Sequence, residues 1–144
     1  MNTSTRSAPL HLWVVGVLSL LWNATGCFDY VATKLLIESY TAAFSEAQLA
    51  YLQALPPWFT VFWALGVWAA LAGSVALLLR SRFSVPAFAV SLLGLIVTTA
   101  YTALFTDGLE IMGAGGTAFS ALVFLVAVLL LVYARRQAAR GVLA

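Results

Sequence analysis

Apolar residues in this chain fall into four long runs, Leu10–Val31, Trp58–Leu79, Pro86–Thr106 and Met112–Tyr133, parted by short polar breaks. A helix rises about 1.5 Å per residue, so each run is long enough to cross the roughly 30 Å hydrocarbon core of a bilayer. One charged side chain lies inside them, Asp29, close to the end of the first. The pattern predicts an all-α membrane protein: a four-transmembrane-helix bundle forming a single membrane domain over residues 1–144.

The breaks differ in kind. Arg80–Val85 is a tight link leading to Pro86, a residue tolerated in the first turn of a helix. Asp107-Gly108-Leu109-Glu110 reads as a short turn. The first connection, Thr33 to Pro57, is long enough to hold structure of its own. Its Ser45-Glu46-Ala47-Gln48 has the form of a capping box, which predicts a short helix over about 45–55, stopped by Pro56-Pro57. At about 100° per residue, Leu49, Leu52, Leu55 and Tyr51 share one face of that helix, with Glu46, Ala50, Gln53 and Ala54 opposite. This short amphipathic helix is expected either in the headgroup layer or as a cap on the bundle.

Composition agrees with the pattern. The chain has 144 residues, 63% of them hydrophobic and 8% charged. A soluble domain carries about 25% charged residues, so this chain cannot clothe a water-facing surface. Its net charge of +2 is not concentrated as nucleic-acid binding requires, and no nucleic-acid partner is expected. The one cysteine, Cys27, excludes an internal disulfide and a multi-cysteine metal site. The first run is longer than the roughly 7–15 residues of a signal-peptide core, and no small-residue cleavage site follows it, so it is expected to stay attached.

The charges set an orientation. With an internal N-terminus, Arg6, Arg80, Arg82, Arg135, Arg136 and Arg140 fall on the cytoplasmic side and only Lys34 outside, as the positive-inside rule requires. The five acidic residues, Asp29, Glu38, Glu46, Asp107 and Glu110, fall on or near the outer side. Both termini are therefore expected inside. Trp58, Phe59, Trp63 and Tyr101 suit the outer interface, and Trp13 and Tyr133 the inner one.

Each run carries a small or polar face. In the first, Trp22, Asn23, Thr25, Gly26, Asp29, Tyr30 and Thr33 share an arc; in the second, Gly66, Ala69, Ala70, Gly73 and Ala76. In the third the face is Ser91, Gly94, Thr98, Tyr101 and Thr102, and in the fourth Gly113, Gly116, Thr117, Ser120 and Ala121. Lipid is as apolar as leucine, so membrane helices associate through small residues and a few interhelical hydrogen bonds, and these faces are expected to meet. Packing is one use for them. The other is a polar crevice, for which the candidates are Trp22, Asn23, Asp29, Tyr30, Thr98, Tyr101, Thr102 and Thr117. Asp29 is the foremost of these, because a carboxylate at membrane depth is costly. Other chemistry finds less support. His11 has no second histidine to share a metal, Cys27 has no base or cation nearby in sequence, and Gly113-Ala114-Gly115-Gly116 lacks the Lys and Ser/Thr of a phosphate loop. Asp107 and Glu110 read as solvated loop carboxylates. No cofactor, metal or catalytic set is expected.

Leu21-Trp22-Asn23-Ala24-Thr25-Gly26-Cys27-Phe28-Asp29-Tyr30, Phe62-Trp63-Ala64-Leu65-Gly66-Val67-Trp68 through Gly73-Ser74, and Tyr133-Ala134-Arg135-Arg136 with Gly141-Val142 carry a likeness over nearly the whole chain. The chain resembles small bacterial four-helix integral membrane proteins of unestablished activity, often labelled sugar transporters. It is similar more loosely to DoxX-type membrane proteins, in its Pro-led second helix with Gly and small residues ending in Arg. The resemblance implies a multi-pass protein of the bacterial inner membrane and transfers no site residue. Two functions remain open. The first is a non-catalytic accessory or structural membrane protein; the second, a subunit of an oligomeric small-molecule transporter, with sugars among its substrates. An enzyme is not expected. Membrane lipids are the expected partners, with a homo-oligomer or a larger membrane complex left open.

Overall fold

The computed structural model describes residues 6–144. It contains six helices in the order α1 (Leu10–Lys34), α2 (Glu38–Thr41), α3 (Glu46–Ala54), α4 (Pro57–Leu78), α5 (Ser84–Phe105) and α6 (Gly108–Ala139). The long helices α1, α4, α5 and α6 are each long and apolar enough to cross a membrane. They form a four-helix bundle, and the chain is a multi-pass membrane protein.

Helix boundaries follow local chemistry. Pro57 opens α4 at a position where the missing N–H costs nothing, and Pro86 sits in the first turn of α5. Ser45 and Gln48 form the expected capping box: the Gln48 N–H donates to Ser45 Oγ at 3.1 Å and the Ser45 N–H to Gln48 Oε1 at 3.0 Å. Three long helices end alike, with a left-handed residue and a bond from the next N–H back to the helix's last turn. These are Leu36 with Ile37 N–H to Ala32 O, Arg80 with Ser81 N–H to Ala76 O, and Gly141 with Val142 N–H to Gln137 O.

The expected turn at Asp107–Glu110 is helix from Gly108 onward. The Asp107 carbonyl accepts from the Ile111 N–H at 2.9 Å, so α6 starts earlier than its apolar run. The irregularity lies at Gly113 instead, with φ 72° and ψ −177°, a conformation essentially reserved for glycine. The axis breaks there, and beyond the break Thr117, Ser120 and Ala121 lie exposed. The small face expected on the fourth span therefore does not turn into the bundle over this stretch. A kink placed by backbone geometry redirects a face that helical periodicity alone sends inward.

The small faces of α4 and α5 do meet. α4 is the centre of the bundle, packed closely on α5 and on α1. At the α4–α5 seam a methyl group on Gly94 would lie 2.5 Å from the Phe62 carbonyl oxygen and 2.9 Å from the Gly66 nitrogen. Ser91 Oγ donates across the same seam to the Gly66 carbonyl at 2.6 Å. Leu93, Ile96 and Leu104 face outward, as do Trp68 and Val75 on α4. α1 and α6 stay further apart and meet through long side chains: Trp22 against Phe119, and His11 Nδ1 sharing a 2.6 Å hydrogen bond with the Tyr133 hydroxyl.

The apolar core gathers at the end bearing the arginines. Leu12, Leu77, Phe88, Leu130 and Ala134 pack there with Val142 and Leu143 of the C-terminal tail. The tail turns back at Gly141 and pairs with the α4–α5 link through Arg82 N–H to Ala144 O (2.9 Å) and Ala144 N–H to Arg80 O (2.7 Å). Arg80 Nε also donates to the Val142 carbonyl and Arg82 Nε to that of Leu143, both at 3.2 Å. These two arginines do more than flank the span.

Candidate functional site

The polar and aromatic candidates run from the middle of the spans toward the opposite end, and the structure sends them to different neighbours. Asn23 is buried on α1 and faces α4, where Nδ2 donates to the Ala70 carbonyl (3.2 Å) and to Ser74 Oγ (2.8 Å). Tyr30, two turns on, packs edge-to-face on Trp63 of α4, with ring centroids 5.0 Å apart. Trp22 looks toward α6. Asp29 turns to neither: its carboxylate accepts a hydrogen bond from the Tyr40 hydroxyl in α2. One arc on a helical wheel thus serves three separate contacts.

The α5 candidates divide as well. Thr98 Oγ1 bonds within its own turn, to the carbonyls of Gly94 (3.0 Å) and Leu95 (3.1 Å), a common way for threonine to satisfy itself in a membrane helix. Tyr101 joins an aromatic group with Trp58 and Phe59, at centroid distances of 4.8 and 5.7 Å. Thr102 lies beneath α3, 3.5 Å from the Tyr51 hydroxyl. Thr117 lies exposed beyond the α6 kink. Tyr101 and Thr102 therefore sit near one another; Asn23, Asp29 and Thr117 are not drawn to them.

Around α2 and α3 the chain builds a cap. The Tyr51 hydroxyl pairs with Thr106 Oγ1 at 3.0 Å, and Thr106 Oγ1 in turn accepts from the Gly108 N–H at 3.1 Å. Gln48 Nε2 reaches the Ile111 carbonyl at 3.5 Å. The short helix thus packs over the α5–α6 connection as a cap. Its other anchor is Tyr40, packed edge-on against Phe28 and Phe44 while it holds Asp29. Removal of the Tyr40 ring from water, followed by its bond to Asp29 and the charge of that carboxylate, raises its hydroxyl from the ordinary value near 10 to about 12.

Sequence reasoning left out Tyr40 and gave Ser74 no role. Ser74 lies four residues after Ala70, on the small face of α4, so its inward position was readable from spacing. Ser91 was placed on its stripe but not paired. Tyr40 gives no periodic signal, because it belongs to a single turn of helix inside a loop. Among the described residues, no three His, Cys, Asp or Glu side chains gather as a metal centre requires. No family model, curated protein or solved structure matches the chain.

Proposed function

We infer that this chain is a non-catalytic accessory or structural protein of a bacterial inner membrane, with both termini in the cytoplasm, akin to the small four-helix proteins it resembles. The observation that carries this reading is Asp29, the one charged side chain within the four apolar runs, held by the Tyr40 hydroxyl of the cap. A carboxylate spent on joining α1 to α2 serves architecture. Asn23, Ser91 and Tyr51 support the same reading, since each ties one helix to another. So does the packed core at the arginine end, where Val142 and Leu143 fill the space between the helices. Reconstituted into proteoliposomes, the protein should take up no member of a panel of sugars and cations above empty vesicles, and in membranes it should form a stoichiometric complex. Saturable uptake of any solute would overturn the reading. Reporter fusions after Ala144 and within 41–55 check the orientation, with cytoplasmic and external signals expected respectively.

A transporter subunit has one specific observation in its favour. Beyond Gly113, α6 leaves Thr117 and Ser120 exposed among small residues, a surface that a second subunit could line.

A further inference from the structure

The cap-side half of the α1–α4 seam ends in a shallow groove on the outside of the bundle, about 340 Å³ in volume. Its floor is built by helical spacing: Thr60, Ala64 and Trp68 follow one another at four-residue steps along α4, flanked by Val61 and Leu65, while Tyr30 of α1 forms the opposite wall. Ala64 is the reason a depression exists, since its methyl group lies between much larger neighbours. One turn beyond Tyr30 on the same face of α1 stands Lys34, whose ammonium donates to Thr60 Oγ1 at 3.2 Å. Lys34 is the only lysine or arginine between Arg6 and Arg80. A cation is thus fixed at the mouth of an apolar groove, with two of its hydrogens still free to donate.

We propose that this groove holds one anionic phospholipid from the leaflet on the cap side, its phosphate on Lys34 and Thr60 and one acyl chain along Ala64 to Trp68. The dimensions suit that occupant. From Thr60 to the far end of the groove at Ala69 the helix rises about 14 Å, close to the half-thickness of a hydrocarbon core of roughly 30 Å. The charge suits it too, because the groove offers one point cation at headgroup depth and apolar walls below. The proposal requires only that the chain spans a membrane, and holds whether its role is accessory or transport.

Trp68, at the deep end, supplies a local readout. The protein is placed in phosphatidylcholine vesicles containing a minor fraction of phosphatidylglycerol, with bromine on the acyl chains of one lipid or the other. Quenching of Trp68 is taken as the difference between the full protein and its Trp68→Phe variant, and is divided by the mole fraction of the brominated lipid. Quenching by brominated phosphatidylglycerol should exceed that by brominated phosphatidylcholine about fivefold, the factor given by roughly 1 kcal/mol per basic residue at a membrane surface. Lys34→Gln should bring the ratio near one. Ala64→Leu, which keeps the cation and fills the groove, should lower quenching by both lipids, while Arg135→Gln at the other end should leave the ratio unchanged. Equal quenching by the two lipids in the unaltered protein, or an unchanged ratio in Lys34→Gln, would overturn the proposal. So would disulfide-linked dimers of Val61→Cys in a Cys27→Ser background, which would seat a second copy of the chain in the groove.

Discussion

Asn23 reaches from α1 to Ser74 on α4, 2.8 Å from amide nitrogen to hydroxyl oxygen, and the same amide also donates to the Ala70 carbonyl. Ser74 is wholly buried and Asn23 nearly so. In a bundle held mainly by small residues, this is the polar clasp between the first and second spans. Interhelical hydrogen bonds in membranes contribute on average about 0.6 kcal/mol and at most about 1.7. A double-mutant cycle of Asn23→Ala and Ser74→Ala, read by unfolding in detergent, should return a coupling energy in that range. A coupling of zero would mean that the two side chains act independently.

Of the glycines, Gly94 sits nearest to a neighbouring backbone, and it separates two glycines that look alike in sequence. A methyl group at Gly94 meets the Phe62 oxygen and the Gly66 nitrogen, neither of which is free to move aside, whereas at Gly66 the nearest atoms would be an ordinary 3.8 Å away. Gly94→Ala should therefore destabilise the bundle by about 1–3 kcal/mol, the usual range for overpacking. Gly66→Ala should change its melting temperature little. Equal losses for both would place the seam elsewhere.

The Asp29–Tyr40 latch has a pH window. A tyrosine whose hydroxyl is raised from about 10 to about 12 in the folded protein contributes stability that is complete below pH 10 and is lost as pH climbs through 12. Ultraviolet titration should show one tyrosine ionising late, and Asp29→Asn should move it back toward the ordinary value. Tyr40→Phe should loosen α2, seen as faster amide exchange over 38–41, and leave the arginine end unaffected.

Leu143 is 1% exposed, among Leu12, Leu77 and Phe88. Its replacement by alanine should cost about 2–5 kcal/mol, as for other buried leucines, measured as a lowered melting temperature. Arg82→Gln, which removes the guanidinium donor to the Leu143 carbonyl, should release the tail and expose the bond after Arg140 to trypsin.

Hydropathy and helix-end chemistry carried most of the fold. The four apolar runs, Pro57, Pro86 and the Ser45–Gln48 box each fix a local choice that the bundle keeps. The kink in α6 was hidden because Gly113 stands among other glycines and small residues, and composition does not say which of them leaves the helix. The site fared less well for a related reason. A helical wheel groups Trp22, Asn23, Asp29 and Tyr30 by angle, but at the surface of a bundle a narrow arc can span three neighbours. Which neighbour each side chain takes depends on its height along the axis and on loops such as α2, and neither enters the wheel. Arg80 and Arg82 were read by charge alone, while their bonds to the tail carbonyls depend on a chain reversal at Gly141.

That reversal sets an order in which the packing at the arginine end can form. Residues 141–144 emerge from the ribosome after every spanning helix, and their partners, Arg80 and Arg82, were made some sixty residues earlier. Until Val142 and Leu143 arrive, the four helices already satisfy the bilayer by hydropathy, yet Leu12, Leu77 and Phe88 lack two of their companions. Membrane insertion and interior packing are thereby separate events in time. A chain lacking residues 141–144 would have the same four spans and still lack this packing, a difference confined to the end that bears Arg80 and Arg82.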